Sequence, residues 1–180
     1  MKLCLLAVIS VVVAVCGCKD GQTANSADPA PSSPVAQPAG GILYYPYAQT
    51  NLQRMKLYVG PAELDAALAL QPMERQTGMM WRTNMAENEA MLFPFPGPHR
   101  ASFYMRNTRV PLSAAYIDPD GIIQEIHELQ PLDETPAQAG SENIQYVLEV
   151  KQGWFRRHNI STGAVVRTPH GELRKTFSFR

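Results

Sequence analysis

The chain has no cysteine beyond residue 18; Cys4, Cys16 and Cys18 are its full complement. A disulfide framework, a cysteine-built zinc site and a thiol nucleophile are thereby excluded from everything that follows. Charge of one sign is lacking too. Sixteen Lys and Arg balance sixteen Asp and Glu, and no basic run is present to track phosphates, so nucleic acid is not an expected partner. His99, His127, His158 and His170 are scattered without ligand spacing, so no metal is expected. A Gly-x-Ser-x-Gly elbow and a phosphate-binding glycine loop are also absent from the sequence, and no cofactor is expected. The longest apolar run, residues 3–15, is broken only by Ser10 and is too short to span a bilayer as a helix.

That run fits a signal-peptide core behind the basic head Met1-Lys2. It ends in Val15-Cys16-Gly17-Cys18, which resembles a bacterial lipobox in which the second cysteine is acylated and becomes the new N-terminus. The resemblance implies a signal peptide over 1–17, lipid attachment at Cys18, and membrane association through that lipid. Lys19 stands where an Asp would favour inner-membrane retention. The expected location is therefore the cell envelope, on the outer membrane facing the periplasm.

Residues 19–41 are poor in aliphatics, free of aromatics and rich in Pro, Ala, Ser and Gly. They cannot bury enough surface to fold, and with Cys18 they read as a flexible tether (18–41) with a reach of roughly 25–30 Å. Residues 42–180 are long enough for an independent core. Their first aromatic cluster, Tyr44, Tyr45 and Tyr47, is expected to pack on it.

Within that domain, 56–59 reads as a strand closed by Gly60-Pro61. Leu64, Ala66, Leu68 and Leu70 alternate as a second strand. Gln71-Pro72 opens a short helix with Glu74 in its first turn and Gly78 near its end. Met91, Phe93 and Phe95 share one face of the next strand, where Pro94 and Pro96 predict a sheet edge or an early end. Asp118-Pro119-Asp120-Gly121 is a turn joining strands 113–117 and 122–127 as a hairpin. Residues 130–143 read as a surface loop. In 145–150, Tyr146, Leu148 and Val150 point one way, Val147 and Glu149 the other. Gly153 starts a second short helix, 164–167 is a late strand, and the basic end 175–180 is expected to add another. The fold class is mostly β, a compact sandwich or open-barrel-like domain with two short helices.

Several ordered motifs carry a family resemblance. They are Arg75-x-x-Gly78-Met79-Met80-x-Arg82, Met91-Leu92-Phe93-x-Phe95, and Phe103-Tyr104-Met105-Arg106-Asn107-Thr108-x-x-Pro111-Leu112. Tyr116-Ile117-Asp118-x-x-Gly121, Tyr146-Val147-Leu148-Glu149, Gly153 and Gly163 follow. From about residue 55 to 168 the chain resembles the domain of unknown function 192 family. The resemblance implies a compact β-rich domain, often exported or lipid-anchored, and brings no established activity or catalytic residue. Where the family usually has Trp, Lys, Gly, Leu and Asp, this chain has Tyr104, Arg106, Ala90, Met79 and Ser113. The last exchange removes a carboxylate.

Arg75, Arg82, Tyr104, Arg106, Asn107, Thr108 and Glu149 are the candidate ligand-binding residues. In one reading they surround a cleft, with arginines holding an anionic or sugar-like ligand and Asn107 giving directional bonds. In the other, Asn107-Thr108 fixes a turn and Glu149 pairs with an arginine on a sheet face. Met79, Met80, Met91 and Met105 read as core or pocket lining. The expected function is a non-catalytic, lipid-anchored envelope module for a glycan, peptide or partner protein. The alternative is an envelope hydrolase using Glu149 and a motif arginine, with Asp118 or Asp120 as a second carboxylate.

Overall fold

A computed structural model describes residues 43–178; the signal peptide, Cys18 and the tether expected at 1–41 lie outside the described residues. Alternating apolar positions build most of the strands. β1 (Arg54–Val59) and β2 (Ala62–Leu68) form an antiparallel pair around Gly60, and α1 (Pro72–Thr77) crosses over to β3 (Glu89–His99), which lies parallel to β2. β5 (Leu112–Ile117), β6 (Ile123–Leu129) and β8 (Ile144–Lys151) follow; β9 (Val166–Thr168) and β10 (Gly171–Glu172) close the other side. The sheet order is β10-β9-β1-β2-β3-β8-β5-β6, mixed and open. A two-stranded ribbon, β4 (Ser102–Phe103) with β7 (Ala137–Gln138), packs its Phe103 and Ala137 against one sheet face. The domain is mostly β and sandwich-like, and its main sheet does not close into a barrel.

Both faces of the sheet are buried, as the period-two split of β8 requires. Tyr146, Leu148 and Val150 join one cluster, beneath α2 (Trp154–Arg157) and α3 (Leu173–Thr176), which contribute Trp154, Phe155 and Leu173. Val147 joins the other with Met79, Met91, Phe93 and Met105, under the α1 crossover and the segment after β4. Each face is apolar because each is covered; alternation here separates two cores rather than core from water.

Two expectations are corrected. The prolines of β3 do not end the strand, which runs on to His99; they stand where β2 pairing has stopped, on the locally open side of a strand otherwise held between β2 and β8. The Leu92 carbonyl accepts from Ala69 N–H on the β2 side, and Pro94 faces the same way, just past the last β2 pair, Leu68 with Leu92. Its missing N–H therefore forfeits no ladder bond. Among the described residues the basic end adds no strand, since Leu173–Thr176 is helical, closed by a bond from Phe177 N–H to the Leu173 carbonyl. Burial of Leu173 over the first cluster outweighs the extended reading of that end. Residues 130–143 are largely exposed, yet β7 and a 2.5 Å bond from the Tyr116 hydroxyl to the Ala137 carbonyl pin their middle.

The hairpin turn forms as read. Asp118 Oδ1 accepts N–H bonds from Asp120 and Ile122, each at 2.9 Å, and Gly121 has φ +84°. A Cβ at Gly121 would lie 2.9 Å from the Val166 carbonyl oxygen, so both conformation and space call for glycine there.

Candidate functional site

Glu149 sits in the middle of the sheet. Its cross-strand neighbours are Met91 on β3 and Ala114 on β5, and neither can hydrogen-bond a carboxylate through its side chain. The residue is 4% exposed, and its Oε2 has no hydrogen-bond partner among the described residues. Burial pushes the carboxyl up to about 8, with the Arg82 guanidinium pulling the other way. At neutral pH the group is mostly protonated.

Arg82 makes no ion pair with Glu149; two of its nitrogens are held elsewhere, and its buried Nε has no partner among the described residues. Its Nη1 pairs with Glu89 and its Nη2 donates to the Gln49 carbonyl at 2.8 Å. The expectation that Glu149 pairs with an arginine is therefore corrected: the neighbouring guanidinium is held by an acid one strand over, closer to solvent.

Above Glu149 opens a pocket of about 220 Å³ between α1 with its following turn and residues 102–108. Phe93, Phe95 and Phe103 form its aromatic side, with Phe103 edge-on to Phe93 at 5.0 Å and to Phe95 at 6.5 Å between ring centroids. Gly78, Met79 and Met80 line the wall after α1. α1 is fixed by Glu74, whose Oε2 accepts the N–H groups of Leu70 and Gln71 at 2.8 Å, so the first-turn acid expected there also caps the helix. The described part of the aromatic N-terminal cluster packs here too. Tyr45 N–H donates to Thr77 Oγ1 at 2.9 Å, and Trp81 Nε1 donates to the Tyr45 carbonyl at 2.9 Å.

Arg75 lies on the same pocket. Its guanidinium is 5.6 Å from the Phe95 ring centre, and Nη1 donates to the carbonyls of Leu70 and Pro94. No carboxylate forms an ion pair with it among the described residues. Partial burial lowers its pKa from the usual arginine range, far too little to discharge it.

Of the seven sequence candidates, Arg75, Tyr104, Thr108 and Glu149 line this pocket. Thr108 is 3% exposed, and its hydroxyl donates to the Arg106 carbonyl at 3.2 Å. Tyr104 separates the pocket from a second hollow beside Asp133, and its buried hydroxyl lacks a partner among the described residues. Arg82 stands behind Glu149. Arg106 and Asn107 do not join the cleft, and this part of the site reading is corrected. Arg106 turns to solvent, paired with Glu134 at 2.5 Å. Asn107 takes a left-handed φ of +56°, and its carbonyl accepts Trp81 N–H at 2.8 Å, a turn role that suits asparagine. Asn107→Ala is expected to cost about 1 kcal/mol of stability and Asn107→Gly less, measured by urea denaturation; a loss above ~3 kcal/mol would mean the side chain does more than permit the turn.

The proposed carboxylate pair also dissolves. Asp118 is four residues along β5 from Ala114, the partner of Glu149, about 13 Å at strand rise. It is spent on the turn and on Gln124 Nε2 at 2.7 Å, while Asp120 pairs with Arg174. Ser113 lies on the opposite sheet face, donating to Glu128 at 2.9 Å and accepting Gly153 N–H at 2.8 Å. The departure from the family's Asp therefore does not touch the pocket. Among the described residues, no three His, Cys, Asp or Glu side chains are grouped to hold a metal ion.

Sequence reasoning left out the three phenylalanines as ligand-facing walls. A signal for them existed. Glu149 is an acid at an inward position of an apolar strand, on the face it shares with Phe93.

An open mixed sheet, covered on both faces and carrying a lone buried carboxyl under an aromatic pocket, is what the chain presents. The family model for the domain of unknown function 192, described as Uncharacterized ACR, matches residues 55–168, and the chain belongs to this family. It is also similar to two crystal structures. One, from Sinorhizobium meliloti, is described as a "putative transcription regulator" (28% identity, TM-score 0.63, covering 67% of this chain and 98% of that one). The other is a protein of unknown function from Novosphingobium aromaticivorans (30% identity, TM-score 0.62, covering 76% and 93%). No curated protein matches the chain.

Proposed function

We propose that this protein is a non-catalytic binding module of the bacterial cell envelope, held by a lipid on Cys18 and facing the periplasm. Its pocket takes one unit of an envelope glycan, a peptide or a partner protein. The observation that carries the reading is Glu149, which lines the pocket and whose buried Oε2 has no partner among the described residues. Such a group is costly to keep unless something meets it. At about 220 Å³, below the usual range of about 300–1,000 Å³ for ligand pockets, the cavity suits a single small moiety. The order of basic head, apolar run and Gly17-Cys18 supports anchoring. Cys18→Ser is expected to abolish labelling by radioactive palmitate and move the protein to the soluble fraction; undiminished labelling would contradict the anchor.

A thermal-shift screen of the full chain in mild detergent, against envelope glycans and muropeptides, tests the pocket. A binder at one hundred times its dissociation constant adds about 2.7 kcal/mol, and Glu149→Gln should remove that gain. A gain that survives in Glu149→Gln would place binding elsewhere. With balanced charge and no basic run, the regulator description of the Sinorhizobium meliloti protein finds no support here as direct nucleic-acid binding.

A hydrolase is the second reading. The observation favouring it is a carboxyl protonated at neutral pH in a pocket that also holds the charged Arg75, the state a general acid needs. No second carboxylate lines the pocket. Turnover of a bound glycan or muropeptide, lost in Glu149→Gln, would favour it over the binding module.

A further inference from the structure

We propose that the pocket receives the primary ammonium group of a small amine, with Glu149 as its counter-ion and Phe93, Phe95 and Phe103 as its aromatic walls. Arg75 then holds an anionic substituent of the same molecule towards the mouth. This rests on the reading of the pocket as a ligand site and names the ligand's chemistry.

Three observations carry it. Glu149 Oε2 is buried and unpartnered, and an ammonium brings three N–H donors and the opposite charge. Aromatic rings beside a buried carboxyl form the environment in which organic cations are recognised, since ring quadrupoles attract positive charge. Arg75 sits on the same pocket without a carboxylate partner among the described residues. A simple cation would be repelled by it; a molecule carrying both an ammonium and a carboxylate or phosphate answers both charges.

The charged and titratable groups around Glu149 are few. Arg82 and Glu89 hold each other on one side, and Arg75 is at the pocket. Tyr104 lines the pocket and Tyr116 lies on the same sheet face; burial raises both phenols, so they stay neutral through pH 8. His127 pairs with Glu125 at 2.9 Å, beyond Ala114. Binding transfers the Glu149 proton to solvent, and no covalent bond between heavy atoms changes.

The test is calorimetric titration of the full chain at pH 6, 7 and 8 with 4-aminobutyrate, n-butylamine and butyrate. 4-Aminobutyrate should bind best, n-butylamine more weakly, and butyrate not measurably. With the carboxyl pushed up to about 8, only the ionised fraction is competent. Affinity should rise about tenfold from pH 6 to 7 and about fivefold from pH 7 to 8, with close to one proton released at pH 7. His127→Gln should keep this profile. Glu149→Gln should weaken both amines at least tenfold, and Arg75→Leu should erase the advantage of 4-aminobutyrate. Should Glu149→Gln fail to fold, Phe103→Leu should still weaken amine binding several-fold; unchanged affinity there overturns the proposal.

Binding of butyrate alone, or affinity that falls as pH rises, would place a protonated Glu149 against an acceptor. That overturns the ammonium assignment and leaves the binding module standing. The same holds if neither amine binds while an envelope compound stabilises the wild type and not Glu149→Gln. If neither the amines nor any envelope compound binds, both readings fail.

Discussion

Glu149→Gln is expected to stabilise the protein at alkaline pH and to flatten its stability profile between about pH 5 and 8. The carboxyl titrates near its ordinary value when unfolded and at about 8 when folded. Between those values the folded chain holds a proton that the unfolded chain has lost. The unfolded state binds fewer protons, so stability falls as pH rises. The effect is absent below the unfolded value and complete above the folded one. A tenfold difference in proton affinity is worth about 1.4 kcal/mol, so the full loss at pH 9 is about 4–5 kcal/mol. A neutral amide of the same shape has no such proton to lose. Urea denaturation at pH 5, 7 and 9 should show the two proteins nearly alike at pH 5 and the variant ahead by several kcal/mol at pH 9. Parallel profiles, or a variant less stable throughout, would mean that the carboxylate is compensated in the native state.

Trp154→Ala is expected to be the most damaging truncation on the other face of the sheet. Trp154 is 1% exposed and packs edge-on to Phe155 at 5.3 Å, with His158 stacked on it at 4.3 Å. α2 is a single turn, with Gly153 at φ +75° as its N-cap and no side-chain cap. Its position depends on the two aromatic rings it buries. Removing the larger should cost about 3–5 kcal/mol, lost transfer energy plus the cavity left behind, and lower Tm by roughly 10–20 °C for a domain of this size. Breaking the exposed pair between Arg157 of the same helix and Glu87 in the turn before β3 should cost under ~1 kcal/mol. A Trp154→Ala loss no larger than that would contradict the role given to this core.

Much of this architecture is legible in the sequence, because its strands alternate and its turns carry their own chemistry. Tyr146, Leu148 and Val150 fall on one face and Val147 and Glu149 on the other, as their spacing requires. Asp118 to Gly121 closes the hairpin with bonds that its turn residues supply. What the sequence misleads about is set by neighbours distant in the chain. Pro94 and Pro96 look like the end of a strand, yet β3 runs past both to His99 because β2 has already ended beside them. The basic end looks extended until Leu173 is seen to cap a core built from β1, β9 and β8.

The site follows the same division. Arg106-Asn107-Thr108 reads either as a binding motif or as a turn; the structure spends Asn107 on the turn and Arg106 on a surface ion pair, and leaves Thr108 at the pocket. Glu149 reads as one half of a salt bridge, and only the placement of Glu89 beside Arg82 leaves it unpaired. The aromatic wall brings together Phe93 and Phe95 from one strand and Phe103 from the ribbon, a convergence that no local pattern announces.

The ionisation of Glu149 itself is the measurement to make. Carbon-13 NMR of the side-chain carboxyls, with the Glu149 resonance identified by its absence in Glu149→Gln, follows this one group from pH 4 to 9. A midpoint near pH 8 is expected. On adding 4-aminobutyrate it should move downwards, as the ammonium supplies the missing counter-charge. A midpoint at or below about 5 in the free protein would mean that Glu149 is already a satisfied carboxylate, and would contradict both the open pocket chemistry and the ligand assigned to it.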